Sequence, residues 1–182
     1  MVPAGRGTRY ASHMDERARV PLWATIVGTF FGTGLSPKAP GTVGSVASLV
    51  LWAPLALVGV AWWWRLAIAV VLFVVGTAAA HAVVRGDGRE DPQKVVIDEV
   101  VGMGLTLLLS STWASLLLGT VLFRLFDITK PWPVSLADRR VKGGFGVMLD
   151  DVVAAGYALG SLVLVEHVLW PWLHARVFGG AT

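Results

Sequence analysis

The chain contains no cysteine, which removes disulfides, thiolate nucleophiles and cysteine-based zinc sites at once. Charge is also scarce. Asp, Glu, Lys and Arg make up 15% of 182 residues, against 55% hydrophobic residues and a mean hydropathy of +0.67. That balance excludes an ordinary soluble domain and suits a chain embedded in a bilayer. The length suits a single domain, and no internal repeat is visible. Nor is a cleavable leader expected, because residues 20–31 run into Gly32-Thr33-Gly34 without a small-residue cleavage pattern. The four His are scattered, which argues against lipid phosphatases built on paired histidines. The ordered multi-Asp and Arg motif of a phosphatidyl-alcohol transferase is missing too.

Six apolar segments are present, at about 20–35, 43–64, 66–84, 95–109, 113–126 and 148–173. They predict a small all-α integral membrane protein of about five to six helices, some short or re-entrant. A basic arm over 1–19, a membrane domain over 20–175 and a tail over 176–182 complete the division. The formal charge of +3 and the pI near 9.7 come from basic residues in the links between apolar runs. Membrane orientation and anionic lipid explain them better than nucleic acid does. Residues 100–123 carry no charge and are flanked on both sides by cations, namely Arg85, Arg89 and Lys94 before and Arg124, Lys130, Arg139, Arg140 and Lys142 after. The positive-inside rule puts both flanks in the cytoplasm. The stretch is therefore expected to form a hairpin turning at Ser110-Ser111-Thr112-Trp113. A second hairpin is expected to turn at Trp62-Trp63-Trp64-Arg65, read as an interfacial anchor.

Six acidic residues stand out in this apolar setting, grouped as Asp91 with Asp98 and Glu99, then Asp127, then Asp150 with Asp151. Ionisable groups near a bilayer are expensive and usually mark function. Asp91 before Pro92 reads chiefly as a helix cap, with Asp98 and Glu99 two turns further into the helix. Arg124 and Asp127, three apart, have a plain reading as an intrahelical ion pair and a sharper one as phosphate and metal ligands. Lys130 ends its helix at Pro131. Asp150 and Asp151, after the glycines of Gly143-Gly144-Phe145-Gly146, read as a metal site at a helix start. The stretch from Gly32 to Ser45, broken by Pro37, Pro40 and four glycines, reads as a loop offering Lys38, Thr42 and Ser45 to an anion, or equally as a turn capped by Thr42 or Ser45. A transporter or ion-conducting subunit would use such carboxylates as well.

Taken together, Leu35-Ser36-Pro37 with Ala39-Pro40-Gly41-Thr42 and Gly44-Ser45, Ile97-Asp98-Glu99 with Gly102, Phe123-Arg124 with Phe126-Asp127, Lys130-Pro131-Trp132-Pro133, and Gly143-Gly144 with Gly146 and Met148-Leu149-Asp150-Asp151 closely resemble the phosphatidylglycerophosphatase A family over about residues 25–160. The resemblance implies a Mg²⁺-dependent lipid phosphatase of the bacterial inner membrane. Its substrate would be the anionic phospholipid phosphatidylglycerophosphate, with the active site facing the cytoplasm. The expected catalytic and metal-binding residues are Asp98, Glu99, Asp127, Asp150 and Asp151, with Asp91 as an additional metal candidate. Lys38, Thr42, Ser45, Arg124 and Lys130 are the expected phosphate ligands. No oligomeric state is assigned.

Overall fold

The computed structural model describes residues 20–89 and 92–172, apart from the side chains of 137–139. The basic arm, Asp91 and the 176–182 tail lie outside the described residues. Within them the chain is helical with no strand. The helices are α1 (Leu22–Gly28), α2 (Pro40–Leu57), α3 (Trp62–Asp87), α4 (Ile97–Thr106), α5 (Trp113–Thr129), α6 (Val134–Arg140) and α7 (Gly143–Leu164). A 3₁₀ turn, Thr33–Leu35, links α1 to α2, and a π-helical turn, Val165–Leu169, carries α7 onward. Three stretches are long and apolar enough to cross a bilayer: α2, α3 and Gly143–Trp172. Their outward faces expose Val46, Val50, Val70, Val71 and Val74. Such surfaces belong against lipid rather than water.

The long helix α7 packs against α3, α4, α5 and α6. Its buried stripe of Ala154, Ala155 and Ala158 lets the backbones come close, the device membrane helices use where lipid supplies no hydrophobic drive. The short helix α4 is almost wholly buried. A Cβ at Gly102 would meet the Phe123 ring at 2.5 Å, and one at Gly104 would run into the Trp52 indole. Trp52 in turn donates from Nε1 to the Val100 carbonyl at 2.8 Å. Gly102 against Phe123, and Leu107 against Gly119, show α4 and α5 running antiparallel. The expected hairpin is therefore present. Its turn ends in a reciprocal cap, in which the Thr112 hydroxyl accepts from Ser115 N and the Ser115 hydroxyl accepts from Thr112 N.

Four local expectations are corrected. Helix α2 begins at Pro40, with Ala39 as its cap residue at φ 45°, so Pro40-Gly41-Thr42 is a first helical turn and neither Thr42 nor Ser45 is a cap. Proline fits there because the first-turn N–H has no intrahelical acceptor. Helix α4 begins only at Ile97, which puts Asp98 and Glu99 in its first turn, where acids complement the helix dipole. Helix α7 begins at Gly143, so Asp150 and Asp151 lie about two turns inside it. Its glycines serve close packing rather than a flexible loop: a Cβ at Gly144 would strike the His81 backbone, and one at Gly146 the Val141 carbonyl. Finally, the Trp62 to Arg65 segment is the first turn of α3, and Arg65 is no interfacial anchor. It is 7% exposed and donates from Nη1 to the carbonyls of Ser110 at 2.8 Å and Leu107 at 3.2 Å, just past the end of α4. There its charge lies at the carbonyl end of the helix, where the Leu107 carbonyl also accepts from Ser110 N.

Candidate active site

The first turns of α2 and α4, the last turn of α5 and the second and third turns of α7 enclose one cavity of about 680 Å³. Asp98 and Glu99 enter it from α4, Arg124 and Asp127 from α5, and Asp150 and Asp151 from α7; Lys130, which caps α5, completes the set. Residues separated by up to 53 positions thus share a wall, as the clustered acids predicted. The Asp151 carboxylate lies within electrostatic reach of Asp98, Asp127, Glu99 and Asp150.

The cations hold much of this acidity in place. Arg124 Nη1 lies 2.6 Å from Asp127 Oδ2 and 3.4 Å from Glu99 Oε1, and it donates to the Ser45 hydroxyl at 3.3 Å. Ser45 Oγ itself donates to the Gly41 carbonyl at 2.9 Å. Lys130 Nζ lies 2.6 Å from Asp150 Oδ2. It reaches there because Lys130, at φ 41°, takes the left-handed cap conformation that turns the chain before Pro131. The plain reading of the Arg124–Asp127 spacing, an ion pair, is therefore realised, and both residues line the cavity. Gly41 is required by close approach: a Cβ there would collide with Glu99 Oε1 and stand 3.3 Å from Arg124 Nη2.

Asp151 Oδ2 and Arg124 Nε are among the buried polar atoms without a hydrogen-bond partner. A carboxylate 3% exposed with one oxygen unsatisfied is costly unless something supplies the missing charge. Among the described residues, no three acidic or histidine groups form a finished metal cage. An all-protein cage is what calcium asks for; Mg²⁺ keeps several waters and takes one or two carboxylates plus phosphate oxygens. The oxygen-rich donor set and the unsatisfied Asp151 oxygen fit such an ion.

All five acids expected at the site line the cavity, as do Thr42, Arg124 and Lys130. Ser45 does not line it. Fully buried, it lies in the layer beneath, where its hydroxyl supports Arg124. Lys38 is exposed, and it is the flanking Pro37 and Ala39 that line the wall. His81 is not in the lining. Sequence reasoning missed Gln93, Ile128 and Lys142, which also line the cavity. Lys142 directly precedes the acid-bearing helix, a signal that was available. Gln93 and Ile128 carried none.

The phosphatidylglycerophosphatase A family model matches residues 26–166. A protein of Escherichia coli named phosphatidylglycerophosphatase A is 38% identical over 78% of this chain and 81% of its own length. A Haemophilus influenzae protein of the same name is 36% identical over 81% and 90% respectively. A Bacteroides thetaiotaomicron protein, provisionally named a phosphatidylinositol-3-phosphatase, is 38% identical over 80% and 92%. No solved structure matches the chain.

Proposed function

The chain belongs to the phosphatidylglycerophosphatase A family, and on that premise we propose that it hydrolyses the terminal phosphomonoester of phosphatidylglycerophosphate, releasing phosphate and leaving phosphatidylglycerol. One observation carries the reading. Five carboxylates and three cations, Arg124, Lys130 and Lys142, line a single cavity in a protein whose outer faces are apolar.

Asp150 and Asp151, with Asp98 and Asp127, are the residues that would hold Mg²⁺. When bound, the ion would offset the acidic wall and polarise a phosphoryl oxygen. The protein's own cations do the rest. Arg124, fixed through Nη1 by Asp127, Glu99 and Ser45, presents a planar fork that suits phosphate oxygens. Lys130 now sits on Asp150 Oδ2, within the same lining, and can exchange that carboxylate for a phosphate oxygen. Glu99, largely buried against Arg124, orients the guanidinium rather than meeting substrate.

Phosphate release from phosphatidylglycerophosphate in detergent is the direct test. Activity is expected to fall about a hundredfold or more in excess chelator and return with Mg²⁺, because a metal contributes several kcal/mol at the transition state. Full activity in chelator would refute the metal role. Faster release from phosphatidylinositol 3-phosphate would transfer the substrate assignment to the chemistry named for the Bacteroides relative. Ion flux through liposomes without phosphate release would favour transport instead.

We place the protein in the bacterial cytoplasmic membrane with the cavity toward the cytoplasm. Support comes from Lys130 and Lys142 at the cavity and Arg85, Arg89 and Lys94 close by in the chain. A cysteine introduced at Ser135 is expected to react with impermeant reagent only in inside-out vesicles. Reaction in intact spheroplasts would reverse the orientation.

A further inference from the structure

The cavity lining mixes eight charged side chains with uncharged ones. Among its described lining residues, Ile128 is the single large apolar side chain that is exposed, at 68%. Along α5 it is followed toward the N-terminus by Leu125, Val121 and Leu117, each at least half exposed. Their spacings of three, four and four residues place all four on one helix face. The opposite face is buried through Ser115, Leu116, Gly119 and Phe123. At 1.5 Å per residue, Ile128 to Leu117 covers about 16 Å, close to one leaflet, which is half of the roughly 30 Å hydrocarbon core.

We infer that this face of α5 is an acyl-chain track, an inference that rests on the lipid phosphatase reading. With the phosphate among Arg124, Lys130 and the carboxylates, one fatty acyl chain of the same lipid leaves the cavity past Ile128. It then lies along Leu125, Val121 and Leu117. The occupant is an unbranched hydrocarbon chain joined to a phosphomonoester head. The track contributes direction more than affinity, because lipid tails offer the chain much the same contacts as these side chains do. It lets substrate enter sideways from the leaflet, so its tails need not pass through water. Helix α2 also exposes Val46 and Val50, but the residues it contributes to the cavity, Pro40, Gly41 and Thr42, include no large apolar exit.

The test uses the full-length protein in phosphatidylcholine vesicles. The probe is a phosphonate analogue of phosphatidylglycerophosphate, which cannot be hydrolysed, with a diazirine midway along one acyl chain. After irradiation, label competed by unlabelled analogue is expected on residues 117–128 at about ten times the level on the outer face of α3, since tethering the head concentrates the chain locally. Competed label on Val46 and Val50 of α2 instead would overturn the track and leave the phosphatase reading intact. Competed label spread evenly over α3 and α5 would do the same. Absence of any competed label would overturn both together.

Discussion

Asp151→Asn is expected to lower turnover by about a thousandfold while leaving the protein at least as stable as before when no metal is present. The loss follows from replacing a hard anionic oxygen by an amide: several kcal/mol of charge stabilisation, at 1.36 kcal/mol per tenfold, amounts to about three orders of magnitude. The stability expectation has the opposite sign from that of a structural acid. Asp151 is 3% exposed, its Oδ2 has no hydrogen-bond partner, and four other carboxylates act on it. Removing its charge relieves repulsion and desolvation that the fold now carries. Phosphate release and thermal unfolding in chelator, on the same preparation, check both halves. A variant that unfolds early and retains its activity would show Asp151 to be a packing residue.

Arg124→Lys is expected to reduce kcat by about a hundredfold, the usual scale for losing one oriented donor to developing negative charge, and to change KM much less. Lysine keeps the charge and loses the planar fork. It also cannot serve Asp127, Glu99 and Ser45 from one nitrogen while presenting a second to substrate. Arg124→Ala is a poorer probe, because leaving a largely buried Glu99 without its cation costs about 3–5 kcal/mol. Steady-state kinetics on the lysine variant, with its melting temperature alongside, decide the matter. Near-normal kcat would reduce Arg124 to a charge that balances the acids.

The helical class, the apolar segments and the α4–α5 hairpin were legible because a bilayer imposes them. Uncharged runs need internally satisfied backbone, and flanking cations fix whether the number of crossings is even. The acids were legible for a related reason, since ionisable groups between such runs are costly and stand out. Helix starts were not. Pro40-Gly41 and Gly143-Gly144 look like loop sequence, yet proline is at home in a first turn. The glycines answer to neighbours far along the chain: Glu99 for Gly41, His81 for Gly144. Contacts across 58 or 63 positions leave no local trace. Ser45 was misassigned for the same reason, since its hydroxyl is engaged by Arg124, 79 residues away. Arg65 beside three tryptophans imitates a membrane anchor until its acceptors at Leu107 and Ser110 are seen.

Those acceptors give α4 the mechanics of a short strut fixed at both ends. At the front, Glu99 is tied to Arg124; at the rear, Arg65 grips the carbonyls just beyond the last turn; between them, Phe123 and Trp52 fill the notches at Gly102 and Gly104. Ten residues held this way have no freedom to slide or rotate as a piece. Asp98 and Glu99 are therefore held at a fixed position in the cavity wall. Any accommodation to substrates of different size falls to the exposed rim at Pro37, Ala39, Gln93 and Lys142.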